Sequence, residues 1–388
     1  MIHYDQILTR LQEQSLFREL RNIDEIQGPV VKMGDHTVVN FASNDYLGLS
    51  QHPSVKAAAK TAIDRYGVGS SASRLVSGSQ FPHAQFEEDI AAFKGTESAL
   101  LFGTGYAAAV GTICSLVGRG DVIILDKLAH ACLIDGAKLS GAYLRVFPHN
   151  NVTKLKHHLE WAQSAYPQGR ILIATESVFS MDGDLGDLAA IVELKDQFRA
   201  LLFVDEAHAT GVIGPQGSGL VNALGLKQQV EVQMGTLSKA FGVSGGFICG
   251  SRTLIRLLVN RARSFIYSTA LPSACAAAGS AALQILRSGE GDALRSQLWN
   301  NVFLLAKSLV TVARKSPQPT SAIFPVIIGD EAKALRLAES LLAHGFLVPA
   351  IRYPTVARGA ARIRIAMSSS HAPEQIAALS GAIVASRS

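Results

Sequence analysis

ALLFVDEAH, residues 200–208, decides how this chain is read. An unbroken apolar run leads into Asp205 and Glu206, and His208 follows shortly after. Alternating apolar and polar residues mark a strand with one wet face. An unbroken apolar run marks a strand covered on both faces, as in a parallel sheet sandwiched by helices. RILIATE (170–176) repeats the form and also ends on an acid. SALLF (98–102), DVIILD (121–126), YLRVF (143–147), VEVQM (230–234) and GGFICG (245–250) are short apolar runs of the same kind.

Segments of helical period accompany these runs. SVKAAAKTAIDRYG (54–67) sets Val55, Ala59, Ala62, Ile63 and Tyr66 at helical spacing. AQFEEDIAAFKG (84–95) does so with Phe86, Ile90 and Phe93 and closes on Gly95 as a C-cap. Alternation of strand and helix predicts a doubly wound, mainly parallel α/β domain over residues 50–285. The pattern then changes. TSAIFPVIIGD (320–330), FLVPAIRYP (346–354) and ARIRIAMS (361–368) read as strands. EAKALRLAESLLAHG (331–345), with apolar positions 335, 338, 341 and 342, and PEQIAALSGAIVA (373–385) read as helices. Residues 286–388 are thus expected to form a small α+β domain, and residues 1–49 a helix and a short strand region.

Bulk properties narrow the function. Of 388 residues only 17% are charged, which points to much buried surface, some of it between subunits. The net charge of +5 comes with no block of like charge and no basic stripe interleaved with aromatics, so a nucleic-acid partner is not indicated. The start, MIHYDQILTRLQEQS, lacks a basic-then-apolar pattern, and no run of about 18 uncharged apolar residues appears. The expectation is a soluble, cytoplasmic protein with no membrane partner. Cys114, Cys132, Cys249 and Cys275 lie far apart without metal-ligand spacing, so neither a metal site nor a disulfide framework is expected.

Ligands of open α/β sheets sit at the carboxyl ends of the strands, and here those ends are polar. LLFGTGYAAAVG (100–111) reads strand, glycine turn, helix, whose free N–H groups suit a phosphate. DKLAHACLID (126–135) offers His130, and ATESVFSMDGDLGDL (174–188) offers Glu176, Ser180 and Asp182. Asp205 at the end of an apolar run needs a partner; it either caps a helix or faces a cationic ring nitrogen. His208 taken alone is equally a hydrogen-bonded structural histidine. MGTLSKAFGVSGG (234–246) sets Lys239 among small residues just after a strand. A desolvated lysine is a nucleophile for carbonyl carbon. A Schiff-base lysine, an acid opposite a pyridinium nitrogen and a phosphate at a helix start are what pyridoxal phosphate requires.

The chain resembles the α-oxoamine synthases, a fold-type I pyridoxal-phosphate family. The runs that carry the resemblance are FASNDYLGLSQHP (41–53), YGVGSSASRLVSGSQ (66–80), FGTGYAAAVG (102–111), DKLAHACLIDGAKLS (126–140), TESVFSMDGDLGDL (175–188), VDEAHATGVIGPQGSGL (204–220), GTLSKAFGVSGG (235–246) and IYSTALPSA (266–274). They span nearly the whole chain in order. The resemblance implies a pyridoxal 5′-phosphate transferase in which Lys239 bonds the cofactor aldehyde, Asp205 pairs with its ring nitrogen, His208 and Ser180 flank its phenolic oxygen, and His130 stacks on its face. Backbone at Gly105 and Tyr106 with the hydroxyls of Thr236 and Ser238 would hold the phosphate, joined by Ser268 or Thr269 of a neighbouring subunit in a homodimer. Asn44 and Arg352 would meet the amino-acid carboxylate, while Arg18 and Thr355 line the acyl-donor entry. Taken singly, Arg352 also reads as a structural ion pair, Arg18 as a solvated helix residue, and Ser180 and Thr236 as turn caps. AFGVSGGFICGS (240–251), SAIFPVIIGD (321–330) and LVPAIRYPTVARGAARIRI (347–365) lean toward members that join L-alanine to pimeloyl-CoA or pimeloyl-carrier protein in biotin biosynthesis. Glycine-using relatives are the nearest competitors. Tyr106 stands where many relatives carry Phe or His, and Glu206 replaces a frequent second aspartate, expected to point away from the ring.

Overall fold

The computed structural model describes residues 4–309 and 319–386. The chain forms two compact units. One comprises Leu49–Ser180 and Asp184–Ala293; the other comprises Met1–Gly48, Met181–Gly183 and Leu294–Ser388.

The larger unit is built on a seven-stranded sheet. Its order is Ser98–Phe102, Gly246–Gly250, Val232–Thr236, Leu201–Asp205, Ile171–Glu176, Val122–Asp126, Tyr143–Phe147. The last five of these run parallel. Gly246–Gly250 runs antiparallel to both of its neighbours. Its direction was not part of the sequence reading, and it has a simple cause. No helix separates Val232–Thr236 from Gly246–Gly250. A short connection without a crossover returns the chain antiparallel. That connection carries Lys239.

The central strands are buried at every position, as their unbroken apolar runs require. Tyr143–Phe147 departs from this reading and is largely exposed. It is an edge strand of the sheet, and the Arg145 guanidinium lies 3.9 Å from the Trp161 ring centroid, a cation–π contact. The core on one side gathers Ile113, Leu133, Leu172, Phe203, Ile248 and their neighbours. Helices start where the sequence supplies a cap. Thr104 accepts from the Ala107 N–H at the start of Gly105–Leu116, and His130 accepts from the Cys132 N–H at the start of Ala131–Ser140. Gly95 closes Phe81–Lys94 with φ 68°, a left-handed turn that glycine adopts without a Cβ clash. ALPSACAAAGSAALQIL becomes the buried helix Ser273–Leu286.

The smaller unit holds a three-stranded antiparallel sheet, Ile323–Gly329, Ala361–Ala366, Ala350–Ile351. A second sheet runs Glu25–Gln27, Val30–Met33, His36–Asn40, Phe346–Leu347, so N-terminal strands pair with a C-terminal one. FLVPAIRYP is therefore not one strand but two short ones in different sheets. Pro349 lies between them and cannot donate to a ladder. Helix Glu331–Ala343 buries Ala334, Leu337, Ala338 and Leu341. Leu335 and Leu342 are half-buried, so the apolar stripe sits one position from the expected register in its first turn.

Candidate active site

The carboxyl ends of the parallel strands converge on a cavity of about 220 Å³ in the larger unit. Gly105, Tyr106, His130, Asp205, His208, Thr236, Ser238 and Lys239 line it, so eight sequence-predicted residues meet in one place. The cavity is smaller than the ~300–1,000 Å³ usual for drug-sized ligands. A separate cavity of about 640 Å³, walled by Lys227, Glu231 and Leu254, contains none of the predicted residues.

The Asp205 side chain is buried at the end of its strand, and Oδ1 accepts from the Ala207 N–H at 2.9 Å. Burial raises its pKa overall, against the pull of Lys239 and of the Ala207 N–H. A carboxyl in this position retains its charge only against a cationic partner. Glu176 lies directly across from it, register-matched on the neighbouring strand, and also faces the cavity. Glu206 takes the opposite direction, as expected. It is fully buried and ion-paired to the buried Lys94.

His130 is fixed by its own backbone geometry. Its Nδ1 accepts from the Cys132 N–H at 3.2 Å and lies 3.0 Å from the Cys132 Sγ. The ring proton therefore sits on Nε2. Burial lowers the His130 pKa against the opposing pull of Asp205 and Asp135, so the ring is a neutral donor. Burial, with the Asp205 charge, pushes the Cys132 thiol pKa far up and keeps its proton on sulfur. Below the site, His149 bonds Asp126 at 3.0 Å and Asp184 at 2.6 Å. Burial opposes its charge, but these two carboxylates prevail and raise its pKa to about 10. The imidazolium so held pins the loop after strand Ile171–Glu176, which carries Ser180.

At the phosphate end, Thr236 Oγ1 donates to the Gly245 carbonyl at 2.8 Å and lies 2.8 Å from Ser238 Oγ. Gly105 opens its helix tight against this pair. A Cβ there would stand 2.9 Å from Met234 Cε and 3.4 Å from Thr236 Cβ. Behind it, a Cβ on Gly246 would strike the Gly105 backbone at 2.4 Å. The glycines thus set helix start and hydroxyls side by side around an anion-sized space. Tyr106 turns outward and donates to Asp135 Oδ2 at 2.6 Å, so only its backbone serves that cradle.

Three residues predicted to meet the cofactor do not line the cavity. Ser180 is buried beside it. Ser268 and Thr269 are exposed, and Thr269 bridges to Ser73.

Of the predicted substrate residues, His130 lies in the larger unit, and Arg18, Asn44, Arg352 and Thr355 belong to the smaller one. Arg352 is buried, and its Nη atoms donate to the Ser15 and Phe17 carbonyls, the latter at 3.2 Å. Two of its donors are thus spent on backbone, while its buried Nε has no hydrogen-bond partner. Asn44 Oδ1 instead accepts from both Nη atoms of Arg364, each at 3.1 Å. Sequence reasoning passed over Arg364, although ARIRIAMS alternates and sets Arg362 and Arg364 on one face of a strand. Arg362 binds Asp182 at 2.6 Å. Arg18 donates to the Tyr353 carbonyl at 2.9 Å, and Thr355 is exposed two residues further on.

The sequence profile of aminotransferase class I and II matches residues 36–383. The 8-amino-7-oxononanoate synthase of Trichlorobacter lovleyi is 46% identical over 96% of this chain and 94% of its own. The chain belongs to the class I and II aminotransferase family, in its α-oxoamine synthase branch. The enzyme of the same name from Anaeromyxobacter dehalogenans is 44% identical over 97% of this chain and 94% of its own. Among solved structures, serine palmitoyltransferase from S. paucimobilis with a bound PLP–myriocin aldimine superposes with TM-score 0.93 at 28% identity, covering 99% of this chain and 96% of that one. The 8-amino-7-oxononanoate synthase of Francisella tularensis superposes with TM-score 0.74 at 28% identity, covering 89% and 96%.

The cofactor of this α-oxoamine synthase is pyridoxal 5′-phosphate. The residues present fit it. A buried carboxyl that needs a cation, a glycine-lined anion cradle with paired hydroxyls, and a half-buried lysine occupy one small cavity. Among the described residues no group of three or more His, Cys, Asp or Glu forms a metal-binding cluster, and no helix is long and apolar enough to cross a membrane.

Proposed function

We propose that this chain joins L-alanine to the pimeloyl group of pimeloyl-CoA or pimeloyl-carrier protein, releasing CO2 and the free thiol and forming 8-amino-7-oxononanoate. The reading rests on one observation above the others. Relatives of that name align over more than nine-tenths of both chains.

Residue roles follow from the chemistry of the groups. Lys239 Nζ would bond the cofactor aldehyde, and Asp205 would face the ring nitrogen with its negative charge. His208 would hold the phenolic oxygen, with Ser180 beside it. Thr236, Ser238 and the N–H groups at Gly105 and Tyr106 would hold the phosphate. Pyridoxal phosphate, when bound, supplies a ring that draws electron density from the amino acid's α-carbon. Once the substrate amine has displaced Lys239 from the aldehyde, its freed Nζ would take the proton from that carbon and return one after CO2 has left. His130 would pack on the ring and donate from Nε2 to the thioester carbonyl oxygen, where negative charge develops. Asn44 and Arg364 hold the amino-acid carboxylate through charge-assisted bonds. Arg18 and Thr355 lie toward the acyl donor.

A homodimer completes the assignment. Val68, Val76, Phe81 and Tyr267 are exposed at 67–80%. Large apolar side chains left in water favour a second copy as their cover. In that assembly Ser268 or Thr269 reaches the partner subunit's phosphate.

The test is product detection by mass from L-alanine and pimeloyl-CoA, run beside glycine and L-serine with the same donor. Absence of 8-amino-7-oxononanoate with either thioester, or a clear preference for another amino acid, overturns the substrate assignment. Borohydride treatment of the holoenzyme should add pyridoxyl mass to the peptide that contains Lys239. Its absence overturns the role of the lysine.

A further inference from the structure

Glu176 is the one acid of the cofactor cavity to which no role has been given. It ends strand Ile171–Glu176 register-matched with Asp205 on the adjacent strand, so the two carboxyls stand side by side at the floor of one pocket. It is 2% exposed. Its Oε1 has no hydrogen-bond partner. Two carboxyls buried at the ends of adjacent strands and facing one pocket do not both ionise readily. Asp205 has the stronger claim to the charge, because it is the acid that faces the cationic ring nitrogen of the cofactor.

The backbone N–H groups of His130 and Ser180 lie within hydrogen-bonding reach of the Glu176 carboxyl. His130 begins the helix Ala131–Ser140, and Ser180 follows strand Ile171–Glu176 by a short loop. Both loops end in residues that the cofactor meets. A single side chain therefore spans the two loops from below.

We propose that Glu176 is a positioning residue of the cofactor pocket: held as the uncharged acid, it ties the His130 and Ser180 loops to the strand end and leaves Asp205 as the pocket's only carboxylate. Burial and the neighbouring Asp205 charge raise the Glu176 pKa well above the usual range, against the pull of Lys239 and the two N–H groups, which agrees with this state. Oε1, the oxygen without a partner, is then the one that carries the proton. The inference rests on the cofactor assignment and is independent of which acyl donor is used.

The experiment compares wild type, Glu176→Gln and Glu176→Ala as purified holoenzymes. Three readouts are taken with pyridoxal phosphate itself: its dissociation constant, the visible circular dichroism of the bound cofactor, and the infrared carbonyl stretch of protonated carboxyl groups. Glutamine keeps the shape, the acceptor and the neutrality. Glu176→Gln is expected to hold cofactor affinity within about threefold and to retain the dichroism band, since only one weak bond is exchanged. Glu176→Ala strips two backbone donors of their acceptor and is expected to weaken affinity at least about tenfold and to flatten the band. The protonated-carboxyl stretch of the wild type at neutral pH is expected to lose intensity in Glu176→Gln. The proposal is overturned if the stretch is unchanged in Glu176→Gln, if Glu176→Gln weakens the cofactor as much as Glu176→Ala, or if Glu176→Ala leaves affinity and band intact. Should Glu176→Ala fail to fold, the stretch and the affinity of Glu176→Gln still decide. A wild type that takes up no pyridoxal phosphate refutes the cofactor assignment and this inference together; a wild type that binds it while both variants behave alike refutes this inference alone.

Discussion

Replacing Lys94 by methionine isolates the ion pair behind the active site. Lys94 and Glu206 are both 0% exposed at their side chains. Lys94 Nζ contacts Glu206 Oε2 and donates to the Ser218 carbonyl at 2.6 Å. Glu206 Oε1 accepts from the Val221 N–H at 2.9 Å. Methionine keeps the volume but removes the charge. The carboxylate is then left buried with a single backbone donor, at a cost of about 3–5 kcal/mol. The lost bond to Ser218 adds about 1 kcal/mol. Urea denaturation of wild type and Lys94→Met at pH 7 reads the difference. A second variant, Lys94→Met with Glu206→Gln, should recover most of that loss, because the amide still accepts from Val221 without a charge. A loss unrelieved by the double substitution refutes the electrostatic account and leaves packing as the cause.

Asp205→Asn should keep the cofactor, judged by its absorbance, while kcat falls at least about 10²-fold, since a neutral amide cannot balance a cationic ring nitrogen; an unchanged kcat removes Asp205 from its role. Arg364→Ala should raise the KM for L-alanine about 10- to 100-fold, the worth of a lost charge-assisted bond. Arg352→Ala should instead lower stability by about 1–3 kcal/mol, because the Ser15 and Phe17 carbonyls lose their donors; steady-state kinetics beside thermal melting separates the two arginines. His371 is buried, donates to the Asn40 carbonyl at 3.1 Å and has its pKa lowered by burial to about 4. A histidine kept neutral in the fold stabilises above its unfolded midpoint and loses that contribution as pH falls through its folded one. Acidification from pH 7 to 4 should therefore cost about 3 kcal/mol through His371. His371→Gln should flatten that part of the acid profile in urea midpoints; an unchanged profile refutes the assignment.

Much of the cofactor pocket was legible in the sequence for one reason. Strands buried on both faces announce themselves as unbroken apolar runs, and the polar residue that ends such a run lies at the strand end where ligands bind. Asp205, His208, His130 and Lys239 are each read that way from a few neighbouring residues. The dipeptide Asp205–Glu206 even states its own geometry, since successive strand residues point to opposite faces.

What the linear order left open involved partners distant along the chain. Arg352, Arg362 and Arg364 occupy similar apolar, strand-like surroundings, so nothing local tells them apart. Sheet pairing brings Arg364 to Asn44, Arg362 to Asp182, and Arg352 to the Ser15 and Phe17 carbonyls. Glu176 reads as one of several strand-end acids until the register with Asp205 puts two carboxyls in one pocket. The antiparallel direction of Gly246–Gly250 and the exposure of Tyr143–Phe147 follow equally from which strand lies beside which. A residue's chemistry and its face of a strand are local properties written in the sequence. Its charge state and its partner depend on distances across the fold, and those exist only once the sheets have paired.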